Sequence, residues 1–247
     1  MEYIYNKEQD KIISYPLNPL LVLAGAGSGK TSTIIGRIIN LVNDRNVQPE
    51  SILVLTFTND AARHMQIKLE KELGANANKV QVCTFHGFSK NILMDKYLEL
   101  GYSRPPRLMN SGDENYIIRK HFNDLGKLNS MMYKRDPITA ISSFKNMFES
   151  FRNNLFSNAE LCEYKEKELK RIKKNIDFED KEKSKQIIDA IDAFFKYQNW
   201  KKEENYIDYG DMIINLWYLL NENESFIADV QGKNKHIIID EFQDNNY

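Results

Sequence analysis

Two short segments of the chain carry residue types suited to binding and activating phosphates. The first, Ala24 to Thr31, reads AGAGSGKT, a P-loop pattern with alanine in the place of the first glycine. Glycines let the backbone turn tightly and aim its N–H groups at an anion, and the positive end of a following helix adds to the attraction. In such a loop Lys30 pairs with the β and γ phosphates and the Thr31 hydroxyl ligates Mg²⁺. The segment therefore predicts a nucleoside triphosphate site.

The second segment, Ile237 to Glu241, is an apolar run that ends in two carboxylates. In P-loop enzymes a buried strand of this kind delivers acids to the phosphate site. Asp240 is expected to hold Mg²⁺, directly or through water, and Glu241 to orient and deprotonate the attacking water. The alternative is that the two acids only cap a helix.

The elements that would position these segments alternate between strand and helix in the first part of the chain. Apolar runs predict strands at Leu20 to Ala24, at 52–56 and at 80–83, the first of them buried on both faces of a parallel sheet. Helical periodicity follows each run, over 31–42, 59–73 and 85–100, with Asn59 as the expected cap of the second helix. This alternation favours a doubly wound α/β core.

After Gly101 helical patterns dominate, and a buried strand returns only at 236–239. Ser111 with Glu114, and Ser157 with Glu160, have the spacing of capping boxes. Helices are expected near 111–123, 136–151, 158–174, 180–204 and 208–222. We therefore expect an α-helical domain, 110–206, inserted between two segments of the sheet domain, 1–109 and 207–247.

Composition adds limits on location and partners. The chain has 247 residues, 42% of them hydrophobic, which is enough for a globular core. Its 34 Lys and Arg nearly balance 35 Asp and Glu, so any nucleic-acid binding must depend on local patches. The two cysteines, Cys83 and Cys162, match no disulfide or metal-site spacing. Without a signal peptide pattern or a run of ~20 apolar residues, a cytoplasmic protein without membrane contact is expected.

With these motifs established, the chain resembles the amino-terminal portion of a superfamily 1 DNA helicase of the UvrD/Rep class, nearest to its helicase IV branch. The similar motifs occur in family order over the whole chain. They are NKEQ (6–9), AGAGSGKT (24–31), LTFTNDAARHM (55–65), TFHGFS (84–89), DYGDMI (208–213) and IIIDEFQD (237–244). The resemblance implies a RecA-like P-loop NTPase core with an incomplete parallel sheet and an inserted α-helical domain.

The resemblance also assigns the site residues, with ATP and Mg²⁺ as cofactors. The ATP site comprises Gln9, which recognises adenine, and Ala24, Gly25, Ala26, Gly27, Ser28, Gly29, Lys30, Thr31 and Ser32. Lys30 and Glu241 are the catalytic residues, and Thr31 and Asp240 hold the metal. Single-stranded DNA is contacted by Thr56, Phe57, Thr58, Asn59, Thr84, Phe85 and His86. The two rings suit stacking on bases, which is worth ~1 to 3 kcal/mol per base.

Three positions depart from the family pattern. Ser32 stands where the family has an arginine that stacks on adenine, and Asp60 replaces a lysine beside the DNA path. Arg37 comes too late to replace the missing arginine and is interpreted as a residue on a helix face.

The implied activity is ATP-driven movement along single-stranded DNA, in the 3′ to 5′ direction, with unwinding at junctions of single and double strand. The chain stops just after the acidic motif, so the second RecA-like domain and its arginine fingers are expected to be missing. An arginine finger supplies ~10³ to 10⁵ in rate, so the chain alone should bind ATP but hydrolyse it poorly. Two alternatives stay open: a DNA-stimulated ATPase that does not unwind, and a catalytically silent module that binds nucleotide or DNA.

Overall fold

The computed structural model describes residues 4–174 and 177–244. Its helices are α1 (Lys7–Ile13), α2 (Lys30–Ile39), α3 (Asn59–Leu73), α4 (Phe85–Asp95), α5 (Ser111–Lys120), α6 (Met131–Arg135), α7 (Pro137–Asn153), α8 (Asn158–Ile172), α9 (Phe178–Glu203), α10 (Tyr209–Glu222) and α11 (Glu224–Lys233). Its strands are β1 (Ile52–Thr56), β2 (Gln81–Thr84), β3 (Arg107–Leu108), β4 (Tyr206–Ile207) and β5 (His236–Ile239).

A three-stranded parallel sheet forms the centre of the first compact unit, in the order β2-β1-β5. Leu53 is aligned with Gln81 on one side and with Ile237 on the other. All five residues of β1 are buried, as expected for a central parallel strand with a continuous apolar run. The expected strands at 52–56, 80–83 and 236–239 are confirmed, the second with a shift of one residue.

Helices α2 and α3 pack their apolar faces into the core around this sheet. The buried cluster includes Ile35 and Ile38 of α2 and Met65 and Leu69 of α3, at the spacings that share one helix face. The residue that caps α3 is Thr58 rather than Asn59, because the extended backbone at Thr58 lets its Oγ1 accept a hydrogen bond from the N–H of Ala61 at 3.1 Å.

The predicted strand at Leu20 to Ala24 is wrong for this structure. These residues form no strand with the described part of the chain, and Leu21 and Leu23 are 70% and 90% exposed. A strand exists only where a neighbour supplies ladder hydrogen bonds. An apolar run indicates that a segment favours burial, but it does not determine whether another strand lies beside that segment.

The second compact unit is helical and has an aromatic core. Phe144 and Phe148 of α7 lie in one buried cluster with Phe194 and Tyr197 of α9. The rings of Phe148 and Tyr197 stack with centroids 5.2 Å apart, and those of Phe148 and Phe194 are tilted at 5.3 Å. Aromatic pairs at such distances stabilise the folded state beyond the effect of burying the rings. The helical spacing of these rings places them on one face of each helix, and their packing holds α7 and α9 together.

One of the two expected capping boxes is confirmed and the other lies one residue earlier. Ser157 and Glu160 form the predicted box at the start of α8. At α5 the box is formed by Asn110 with Asp113, because the Asn110 side chain accepts hydrogen bonds from the N–H groups of Gly112 and Asp113. Glu114 forms an ion pair with Lys145 at 2.9 Å instead.

The two compact units comprise residues 1–89 with 218–247, and residues 90–217. This division differs from the expected boundaries at 109/110 and 206/207. The residues between the two sets of boundaries belong with the helices, because β3 pairs with β4 and Met109 lies in the aromatic core. The longest helix, α9, has 26 residues, and no helix in the described ranges is both long and apolar enough to cross a bilayer.

Candidate active site

The glycine-rich segment forms the loop that leads into α2. Gly27 and Gly29 have φ angles of 76° and 83°, in the left-handed region that glycine adopts without strain. The Ser28 hydroxyl donates to the carbonyl of Gly25 at 2.8 Å and tightens the turn. No side chain in the described part of the chain caps α2, so its first-turn N–H groups face outward for an anion.

Gln9 lies against this loop, as part of the capping box that starts α1. Its Nε2 donates to the Ser28 carbonyl at 3.1 Å, while its Oε1 accepts from the backbone N–H of Asn6 at 2.9 Å. A Cβ placed on Gly29 would lie 2.7 Å from the Gln9 Nε2, so glycine permits this close approach. The structure thus joins the first family motif to the phosphate loop.

The P-loop lysine contacts the acidic motif. The Lys30 Nζ lies 3.1 Å and 3.2 Å from the two carboxylate oxygens of Glu241, although the residues are 211 positions apart. Both side chains are about one-third exposed. Parallel pairing explains the meeting, because the β5 ladder continues beyond the strand as a 2.9 Å hydrogen bond from the Asp240 N–H to the Leu55 carbonyl.

The two acids at the end of β5 have opposite environments. Burial and the neighbouring charge of Glu241 raise the pKa of Asp240. Hydrogen bonds from Gln243 and Lys30 lower the pKa of Glu241. Glu241 also has a φ of 51°, a conformation that costs energy for a residue with a side chain and that often occurs at functional sites.

The donor chemistry fits Mg²⁺. In the sequence, Thr31 follows Lys30 and Asp240 precedes Glu241, and Lys30 and Glu241 are in contact. Thr31 offers a hydroxyl and Asp240 a carboxylate oxygen, the hard ligands that Mg²⁺ prefers. Burial and the charge of Glu241 raise the pKa of Asp240, and a bound cation would favour its ionised form. In the described residues, no group of three or more His, Cys, Asp or Glu side chains forms a metal cage, and Mg²⁺ rarely uses one.

The residues expected to contact DNA follow two adjacent strands. Thr56 of β1 is aligned with Thr84 of β2, so Phe57 and Phe85 leave the same edge of the sheet. Phe57 is 61% exposed and Phe85 is half-buried. An exposed ring at a strand end is available for stacking on a base.

The polar members of this set divide into structural and exposed residues. Thr56 and Thr84 are buried. The Thr56 hydroxyl donates to the Thr58 carbonyl at 3.1 Å, and the Thr84 hydroxyl accepts from the Gly87 N–H at 3.1 Å. Asn59 and His86 are exposed, and partial desolvation lowers the pKa of His86. The buried hydroxyls therefore shape the two turns that present the exposed groups.

Sequence reasoning missed two arginines near this site. Arg37 and Arg45 donate to backbone carbonyls in and after the last turn of α1, the helix that carries Gln9. The helix-face interpretation of Arg37 described its position on α2 but not its partners. No local pattern identifies them, because the acceptors lie more than twenty residues away.

The architecture belongs to the class of mixed α/β proteins with a short parallel sheet and many helices, consistent with an incomplete RecA-like helicase domain. Residues 5–247 match the family described as UvrD/REP helicase N-terminal domain, and the chain belongs to that family.

The chain is also similar to curated DNA helicases. The chain is 30% identical over 246 residues to a probable DNA helicase II homolog of Mycoplasma genitalium, covering 98% of the chain and 32% of the relative. It is 26% identical over 242 residues to the ATP-dependent DNA helicase PcrA of Staphylococcus aureus, covering 98% of the chain and 30% of that protein. The chain thus spans about a third of the length of these curated relatives.

Proposed function

We propose that this chain is the ATP-binding amino-terminal portion of an ATP-dependent DNA helicase, which moves 3′ to 5′ along single-stranded DNA and unwinds duplex at junctions. The observation that carries the proposal is the contact of Lys30 in the P-loop with Glu241 at the end of β5. It joins a phosphate-binding loop to an acid able to act on water. The helicase names of two relatives support the same activity.

In the proposed mechanism, the triphosphate lies along the loop and the first turn of α2. Backbone N–H groups of the turn bind its oxygens, and Lys30 moves from Glu241 to the β and γ phosphates. Glu241 then loses one of the partners that lower its pKa, so its carboxylate becomes a stronger base. Phosphate binding thereby prepares the group that orients and deprotonates the attacking water.

Thr31 and Asp240 would hold Mg²⁺, which neutralises charge on the phosphates when it is bound. Asp240 suits this role because burial and Glu241 disfavour its ionised form in the protein alone. A bound cation would therefore stabilise the ionised form of Asp240. Gln9 would approach the adenine from α1, since its carboxamide already lies beside Ser28 at the loop.

Single-stranded DNA would cross the edge of the sheet where Phe57 and Phe85 follow β1 and β2. The exposed ring of Phe57 would stack on a base, and Asn59 and His86 would donate to the strand. Asp60 is also exposed there, and its negative charge weakens phosphate attraction at that point.

The direct test of the phosphate site is ATP binding by Lys30→Ala, measured by calorimetry in the presence of Mg²⁺. The variant should lose measurable binding and keep the circular dichroism spectrum and urea midpoint of the wild type. Lys71→Ala, which removes an exposed lysine from the last turn of α3, should bind normally. Unchanged affinity in Lys30→Ala would refute the assignment.

A further inference from the structure

Two arginines bind the end of α1. The Arg37 guanidinium donates to the carbonyls of Ile13 at 2.8 Å, Tyr15 at 2.5 Å and Pro16 at 3.2 Å. Arg45 donates to the carbonyl of Ser14 at 2.5 Å. Four successive carbonyl oxygens, from 13 to 16, are therefore each bound by a guanidinium. Positive charge at the carboxyl end of a helix is favourable, because the unpaired carbonyls there carry partial negative charge.

The contact between α1 and α2 is also unusually close at Gly36, the residue before Arg37. A Cβ at Gly36 would lie 2.7 Å from both the Ile13 Cδ1 and the Tyr5 Oη. Real Cβ atoms do not approach other atoms so closely, so any larger residue would force the ends of the Ile13 and Tyr5 side chains to shift. Packing and hydrogen bonding thus fix the position of α1 on α2 independently.

The Arg37 guanidinium is committed to this role. It donates to three carbonyl oxygens, the acceptors that suit a charged donor, although burial and the charge of Arg45 lower the pKa of Arg37. These three hydrogen bonds hold the guanidinium at the end of α1. Ser32 offers no planar group to stack on a base, whereas Gln9 of α1 already contacts the loop at the Ser28 carbonyl.

From this arrangement we propose that Arg37, with Arg45, is a positioning residue that acts through Gln9. By holding the end of α1, it sets Gln9 beside Ser28 and Gly29, and so determines the fit of the adenine base rather than of the phosphates. The inference rests on the proposed function, because it takes Gln9 as the group that recognises adenine.

The test compares ATP with inorganic tripolyphosphate, which carries the phosphates without the base. Affinities of both, with Mg²⁺, are measured on the 247-residue chain. Arg37→Lys keeps the charge but loses the planar fork, and should weaken ATP binding about tenfold while changing tripolyphosphate affinity less than about twofold. Arg63→Lys, which alters an exposed arginine of α3, is the matched control and should change neither affinity.

Gln9→Ala tests whether Arg37 influences ATP binding through Gln9. It should weaken ATP selectively, and Arg37→Lys combined with Gln9→Ala should be no weaker than Gln9→Ala alone, because residues that act through one another are not additive. If Arg37→Lys does not fold, as judged by its urea midpoint, Arg45→Lys gives the same comparison. Gly36→Ala, whose Cβ would press on the Ile13 and Tyr5 side chains, provides a second, chemically unrelated perturbation of the contact between α1 and α2.

The outcomes separate the two proposals. Equal weakening of ATP and tripolyphosphate by Arg37→Lys, or no weakening of either, would overturn the positioning role while Gln9→Ala still reports on adenine recognition. If Gln9→Ala leaves the preference for ATP unchanged, the proposed adenine role of Gln9 itself is wrong.

Discussion

At the residue scale, the main feature is the contrast between two adjacent carboxylates. Asp240 is half-buried and its pKa is raised, whereas Glu241 accepts hydrogen bonds from Gln243 and Lys30 and its pKa is lowered. Paired acids whose pKa values move apart commonly have different tasks. We propose that Asp240 is the metal ligand and that Glu241 becomes the water-activating group once Lys30 moves to the phosphates.

The division of roles predicts the behaviour of Glu241→Gln. This variant should keep ATP affinity. In a longer protein that also supplies the second RecA-like domain, it should lose about 10² to 10⁴ in the rate of phosphate release, because an amide cannot accept the proton of the attacking water. Single-turnover phosphate release and equilibrium binding of ATP measure the two effects. Asp240→Asn is the comparison, and it should weaken Mg²⁺-dependent ATP binding instead. Normal turnover in Glu241→Gln would show that another group is the base.

At the scale of secondary-structure elements, a buried ion cluster joins α7, α9 and the start of α10. Asp208 lies 2.9 Å from Arg152 and 2.7 Å from the fully buried Lys201, and it accepts a hydrogen bond from the Tyr197 hydroxyl at 3.3 Å. Lys201 also contacts Asp211, which has no second cation within bonding distance among the described residues. Two cations and two anions therefore neutralise each other inside the helical unit.

The two aspartates of this cluster should differ in their contribution to stability. Asp208→Asn should cost ~3 to 5 kcal/mol in the free energy of unfolding, because Arg152 and Lys201 lose a shared buried partner. Asp211→Asn should cost less, since burial and the charge of Asp208 raise the pKa of Asp211 and disfavour its ionised form. Urea unfolding at neutral pH measures both. Equal losses would contradict this assignment of the charges.

The same cluster makes stability depend on pH with a definite sign. Burial opposes ionisation of Asp208, but Lys201 and Arg152 prevail and lower its pKa to about 2. Because the folded pKa lies below the unfolded value of about 3.9, the contribution of Asp208 is complete above that value. It is lost as the pH falls toward 2, and Asp208→Asn should lack this part of the acid transition.

At the scale of the whole molecule, the chain consists of two compact units, of which one contains the three-stranded sheet and both phosphate-site motifs. It spans about a third of the length of its helicase relatives. In helicases of this kind, as the resemblance implies, ATP is bound between two RecA-like domains. The proposed function therefore concerns a part of such a site.

This arrangement predicts slow ATP turnover by the chain alone. ATP should bind, but hydrolysis should be ~10³ to 10⁵-fold slower than in a longer protein that supplies an arginine finger, and single-stranded DNA should stimulate only the longer protein. Phosphate release by both proteins, with and without single-stranded DNA, gives the comparison. Brisk turnover by the chain alone, rising with its concentration, would mean that self-association completes the site.

Much of the local structure was predictable from the sequence. Strands β1, β2 and β5 follow from short apolar runs, and α3 and α8 follow from periodicity with a terminal glycine or a capping box. The motifs also predict that Lys30 and Glu241 serve one site, and in the structure the two side chains are in contact. These features are encoded locally, because apolar spacing and capping groups act within a few residues of where they occur.

Only the tertiary structure decided which distant groups meet. The run at Leu20 to Ala24 has the composition of a buried strand but remains exposed, since a strand requires a neighbour that composition does not provide. The partners of Arg37 and the pairing of Lys201 with Asp208 depend likewise on which helices pack together. The motifs and most helices and strands therefore follow from local sequence patterns. The contacts follow from chain topology, because they join segments that are far apart in the sequence and that no local pattern relates.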